Sequence, residues 1–167
     1  MSYKQDLEGV SAKDYGDSHT AHVFEIYKLY VEMADRISGR RQSANSFFLS
    51  FNTGVMAVVG YVDIGRETSV QPIFYFTVAM AGIVLCFFWQ RLIRSYKGIS
   101  SAKFKVIHDI ESRLPLRPYD AEWTAVGRGK DADKYLPVSI LETRVPWIFA
   151  GLYLLIIAWA IPWSDVI

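Results

Sequence analysis

Three histidines, one cysteine and scattered carboxylates are the groups with which this sequence could perform acid–base, nucleophilic or metal chemistry. His19 and His22 lie three apart, so on a helix they share a face, with Asp17 or Glu25 nearby as further ligands. Two histidines alone also describe an ordinary solvated helix start. His108 is followed by Asp109 and Glu111, but adjacent Asp109 points to a different face, and nothing else supports an acid–base pair. Asp120 and Glu122, beside Trp123, read as holding a loop against a basic helix. Cys86 falls inside an apolar run and reads as a small packing residue. No phosphate-cradling glycine loop, zinc spacing or nucleophile motif occurs, so the sequence implies no catalytic residue, metal or cofactor, and no enzyme.

Two other groups of residues invite a functional reading. The first is a row of small or polar positions, Ser46, Ser50, Thr53/Gly54, Ala57 and Gly60, with Asn52 the most polar side chain at depth. Such residues let helices approach closely in lipid, and a pore lining would look similar. Ser50, Asn52, Thr53 and Ala57 are therefore candidates for helix packing or pore lining. The second is the basic run Arg91, Arg94, Lys97, Lys103 and Lys105. It reads as a topology signal on a solvated face. Arg91, Arg94 and Lys97 are also candidates for lipid headgroups or an acidic partner.

These residues need elements to carry them. The chain has 167 residues, of which 51% are hydrophobic, and the apolar residues gather into three blocks. Residues 1–17 read as a flexible leader and 18–45 as a cytoplasmic amphipathic helix begun by Asp17 or Ser18. Its stripe is Val23, Ile26/Tyr27, Tyr30, Met33/Ala34 and Ile37. A first span follows at 46–64, and a short loop leads to a second at 72–89, where 18 residues carry no charge. The helical period continues past Gln90 through Ile93, Tyr96, Ile107 and Ile110 until Pro115, so one helix of roughly 40 residues is expected. Residues 90–144 form this cytoplasmic extension and a loop, which prolines at 115, 118 and 137 keep from being one helix. The third span covers 145–163, with Pro146 in its first turn. The fold class expected is all-α: a three-span transmembrane protein whose long helices extend into a cytoplasmic helical stalk.

Charge gives an orientation. Of the 18 Lys and Arg, six precede the first span, one (Arg66) lies in the 65–71 loop, eleven lie in 90–144 and none follows Trp163. Seventeen thus fall on one side, which places the N-terminus and 90–144 inside and the C-terminus outside. The net charge of +1 hides this asymmetry. No Asp, Glu, Lys, Arg or His lies in the core of a span, which argues against a pump or ion-coupled carrier but not against a channel.

The segments YKLYVEMADRISGRRQSANSFF (27–48), WQRLIRSYKGISSAKFKVIHDIESRLPLRPYDAEW (89–123) and GRGKDADKY (127–135) resemble the RipA family of bacterial octameric membrane proteins. The likeness covers about residues 22–163. It implies a homo-octamer in the bacterial cytoplasmic (inner) membrane without a defined catalytic activity. The hairpin after an amphipathic helix is similar in architecture to SLATT domains, proposed pore-forming effectors, although the third span departs from them. The partners expected are membrane lipids, further copies of the chain and a cytoplasmic protein, with no nucleic acid. The role expected is a structural or regulatory membrane assembly; the alternative is an ion or small-solute pore serving stress or defence.

Overall fold

The computed structural model describes residues 7, 9–64, 71–130 and 138–161. Most of the leader before Gly9, the loop residues 65–70 with Arg66, residues 131–137, and the last residues with Trp163 lie outside the described residues. Among the described residues every regular element is helical: α1 (Ala12–Tyr15), α2 (His19–Ile64), α3 (Pro72–Glu111), α4 (Pro118–Ala125), a 3-10 turn (Gly127–Gly129) and α5 (Val138–Ala160). The chain divides into two compact units. Unit 1 comprises Met1–Gly39 and Lys97–Leu136; unit 2 comprises Arg40–Tyr96 and Pro137–Ile167.

The long helices follow from the sequence periods. α2 holds no proline over its 46 residues and starts one residue after Ser18. α3 has 40 residues, opens on Pro72, where a missing N–H is harmless, and stops at Glu111 before the turn that leads to Pro115. In unit 1 the contact face of α2 runs through Val23, Tyr27, Tyr30, Ala34 and Ile37, and that of α3 through Ile107, Ile110 and Glu111. Within the stretch expected as a leader, Ser11 caps the single turn α1, whose Tyr15 packs edge-on against His19 and His22.

A left-handed turn closes α4. Gly127, Arg128 and Gly129 have φ of 72°, 53° and 69°, a region that disfavours L side chains. The two glycines accept it freely, and a Cβ on Gly129 would also stand 3.1 Å from the Trp123 ring. Arg128 is held there by bonds from its guanidinium to Thr124 Oγ1 (3.2 Å) and Asp120 Oδ1 (3.5 Å).

Unit 2 is built on Ala79, Cys86 and Tyr153, with Val55, Met56, Ile83 and Phe149 around them. Gly82 lets the Tyr153 ring lie against the α3 backbone, since a Cβ there would overlap the ring. α5 begins at Val138, seven residues before the expected span, so Pro146 is inside the helix rather than in its first turn. Proline leaves a gap in the helical hydrogen bonds. Gln90 of α3 reaches α5 beside that gap: with its amide assigned by the chemistry of its neighbours, nitrogen toward the Thr143 carbonyl (3.0 Å) and oxygen toward Trp147 Nε1 (3.3 Å), it donates to the first and accepts from the second.

Two helices among the described residues are long and apolar enough to cross a membrane, Pro72–Glu111 and Leu141–Ala160. The 46–64 segment of α2 is helical throughout but less apolar, because Ser46, Ser50, Asn52, Thr53 and Asp63 interrupt it.

Candidate functional site

Among the described residues, each unit contains a buried polar side chain that ties three helical segments together. In unit 1 it is Glu111, the last residue of α3, which is fully buried. Its Oε1 accepts from the Tyr27 hydroxyl of α2 (2.9 Å) and from the backbone N–H of Tyr119 (3.0 Å), and its Oε2 from the N–H of Asp120 (3.3 Å). Arg117, at the cap position of α4, makes no side-chain cap bond, so Glu111 supplies the cap from a different helix. His108 Nδ1 lies 3.6 Å from Glu111 Oε2, an ion-pair distance whenever the imidazole is protonated. Burial, and then the bond to Glu111, pushes the Tyr27 phenol from 10.0 up to about 12.

In unit 2 it is Asn52, also fully buried. Its Nδ2 donates to the Phe48 carbonyl one turn back (2.8 Å), and its Oδ1 accepts from the Tyr153 hydroxyl of α5 (3.0 Å) with Cys86 Sγ of α3 at 3.7 Å. One turn toward the N-terminus of α2, Trp89 stacks on Phe48 with centroids 5.6 Å apart and donates to Asn45 Oδ1 (2.9 Å). A less polar setting thus uses an amide and a hydroxyl where unit 1 uses a carboxyl and backbone N–H groups.

The structure separates the four packing or pore candidates. Asn52 points into the protomer, whereas Ser50, Thr53 and Ala57 are exposed on α2, together with Ser46, Gly54 and Gly60. A single surface row contains all of them except Asn52. Arg91 and Arg94 in unit 2 and Lys97 in unit 1 are exposed. His22 receives a partner other than a metal ligand: its Nδ1 is 2.8 Å from the Tyr15 hydroxyl. No group of three or more His, Cys, Asp or Glu suited to a metal is found among the described residues. Asp120 serves Arg128 and the start of α4, and Glu122 lines a groove with Trp123.

Sequence reasoning named Glu111 only beside His108 and Tyr27 only as part of the α2 stripe, and it passed over Tyr153, Gln90 and Gly82 as functional positions. A signal for Glu111 and Gln90 was present. Each occupies a place in an otherwise apolar stripe, Glu111 beside Ile107, Ile110 and Leu114 and Gln90 beside Cys86 and Ile93, and a polar residue there must find a partner within the protein. No comparable signal marks Gly82, whose role depends on a tyrosine 71 positions away.

Unit 2 also contains an ion pair of low exposure, Arg41 Nε to Glu142 Oε2 at 3.5 Å, which joins α2 to α5. The Tyr75 hydroxyl donates to Asp63 Oδ1 (3.1 Å), and the Tyr75 ring packs edge-on against Trp159. Charged groups of this unit's α2 are thereby spaced 22 residues apart, from Arg41 to Asp63. The sequence matches the octameric membrane protein family over residues 24–162. No curated protein and no solved structure matches it.

Proposed function

The chain belongs to the octameric membrane protein family, and from that premise we propose that it forms a cyclic homo-octamer of three-span protomers that works as a structural or regulatory assembly in the bacterial cytoplasmic membrane. The observation that carries the membrane part is the outward apolar surface of unit 2. Phe47 and Val58 on α2, Phe87 and Phe88 on α3, and Leu154 and Leu155 on α5 are each about half exposed or more. Water would not tolerate such a surface on all three helices, whereas lipid and neighbouring copies would cover it. From Arg41 to Asp63, α2 rises roughly 33 Å, which matches a hydrocarbon core of about 30 Å with charge at each end. That supports 46–64 as a span despite its polar residues, and Asn52 and Tyr153 satisfy each other within it.

Seventeen of 18 Lys and Arg fall outside the 65–71 loop and the tail, which supports a cytoplasmic N-terminus and 90–144 region and an external C-terminus. Unit 1 then projects into the cytoplasm as a helical stalk. Its surface offers Lys97 to an acidic partner, and Arg91 and Arg94 in unit 2 face headgroups. A second reading, an ion or small-solute pore, draws on the exposed row Ser46, Ser50, Thr53 and Ala57, which a copy on either side or an axial channel would cover.

One experiment separates the readings: native mass determination of the detergent-extracted oligomer with single-channel recording after reconstitution. The scaffold reading expects an eight-copy mass and a silent bilayer. Discrete openings whose conductance changes in Thr53→Leu while the octamer persists would establish the pore instead.

A further inference from the structure

Unit 1 has an apolar ridge and a groove, neither of which is filled by the described residues. The ridge is Ile26, Leu29 and Met33 on α2, spaced by three and four residues and 48%, 53% and 38% exposed. It lies to one side of the face through Tyr27, Tyr30 and Ala34 that packs against α3, with Met33 Sδ at its edge 4.0 Å from Lys103 Nζ. The groove, of about 610 Å³, lies between α3 and α4, with Phe104, Tyr119, Trp123 and Val126 as its apolar surface and Lys105 and His108 among its walls.

We infer that the ridge of each protomer docks in the α3–α4 groove of the next copy around the ring. The inference rests on the proposed cyclic octamer. Copies that share one orientation in a membrane can be related only by an axis along the membrane normal, since a two-fold axis in its plane would invert half of them. Every contact around such a ring is therefore heterologous and requires two different surfaces per protomer. Unit 1 offers such a pair, one convex and one concave. Tyr27 reaches Glu111, and Lys103 lies 4.8 Å from the Tyr30 ring, so α2 and α3 run antiparallel here. With that register, helical spacing places the ridge on one side of the α2–α3 pair and Ser101, Phe104 and His108 of the groove on the opposite side. Opposed surfaces are what a head-to-tail ring needs.

Cysteine cross-linking in the full chain tests this. Cys86 is the only cysteine, so Cys86→Ala provides a thiol-free background. Two differently tagged chains, one with Leu29→Cys and the other with Val126→Cys, are co-expressed and treated in membranes with a short bis-maleimide. The expected result is a cross-linked pair that carries both tags, and a ladder reaching eight copies when both substitutions share one chain. Native mass of the untreated assembly is measured alongside. An intact octamer without the mixed-tag product, or with Val126→Cys as reactive toward a bulky maleimide as in the dissociated chain, overturns the docking while leaving the octamer standing. A wild-type chain that proves monomeric in the membrane overturns the octameric reading itself, and the docking with it.

Discussion

Glu111 and Asn52 solve the same problem in two settings. Each is fully buried and gathers three helical segments: Glu111 binds Tyr27 and the first N–H groups of α4, while Asn52 binds Tyr153 and faces Cys86. Unit 1 can bury an ionisable group because three donors converge on it, two of them at a helix start where the dipole favours negative charge. Unit 2, whose outer surface is apolar, uses a neutral amide and hydroxyl, which require far less desolvation than a charge. Donors, rather than depth alone, thus decide which polar group a site accepts.

The strongest attempt to break this comparison is a charge without donors. Ile107 is fully buried one turn before Glu111, and Ile107→Asp should destabilise unit 1 by about 4 kcal/mol or more. Lys103→Asp, four residues earlier and partly exposed, should cost about 1 kcal/mol through the lost contact with the Tyr30 ring. Thermal unfolding in detergent compares the two, and equal losses would refute the assignment of helix faces. Next comes removal of the acceptor. Glu111→Ala leaves a phenol and two backbone N–H groups unpaired and should cost about 3 kcal/mol. Hydrogen exchange should rise first at Tyr119 and Asp120, and unchanged protection there would show that α4 does not depend on Glu111.

In unit 2 the losses should be smaller because neutral groups are involved. Asn52→Leu leaves the Tyr153 hydroxyl unpaired in an apolar site and should cost about 2 kcal/mol. Tyr153→Phe removes the donor but leaves Asn52 its bond to Phe48, and should cost about 1 kcal/mol. The double variant should lose less than the sum, since the pair is removed as a unit. Strict additivity in denaturant unfolding would mean that the two side chains do not interact.

The sequence displayed the long elements clearly. A helix of roughly 40 residues from Pro72 was legible because an uncharged run passes into a stripe of unchanged period, and α3 has that length. The extended α2 was legible for the same reason. Pro146 misled because proline is most often found in the first helical turn; here α5 begins earlier, at Val138, and the proline falls inside it. The site was half legible. Asn52 stood out by polarity, but grouping it with Ser50 and Thr53 treated neighbours in sequence as neighbours on a face, and at 100° per residue Asn52 turns inward while the others stay exposed. Tyr153 and Tyr27 carry no local mark, because their function is set by partners 101 and 84 residues away.

The mildest change sharpens the comparison by titration. Tyr27→Phe deletes one of the three donors to the Glu111 carboxyl described above and, near neutral pH, should cost about 1 kcal/mol. The wild-type phenol is pushed from 10.0 to about 12, so folding favours its neutral form. Below pH 10 both folded and unfolded chains keep the proton, and the Tyr27 bond contributes in full. Between pH 10 and about 12 the unfolded chain loses the proton while the folded chain retains it, so the wild-type advantage over Tyr27→Phe should shrink as pH rises through that window. Other tyrosines and lysines titrate there too, but they are common to both proteins and cancel in the difference. Denaturant unfolding of the pair at pH 9 and pH 11 reads it directly. A constant difference would mean that Tyr27 ionises as an ordinary phenol and that Glu111 is held by the α4 backbone alone.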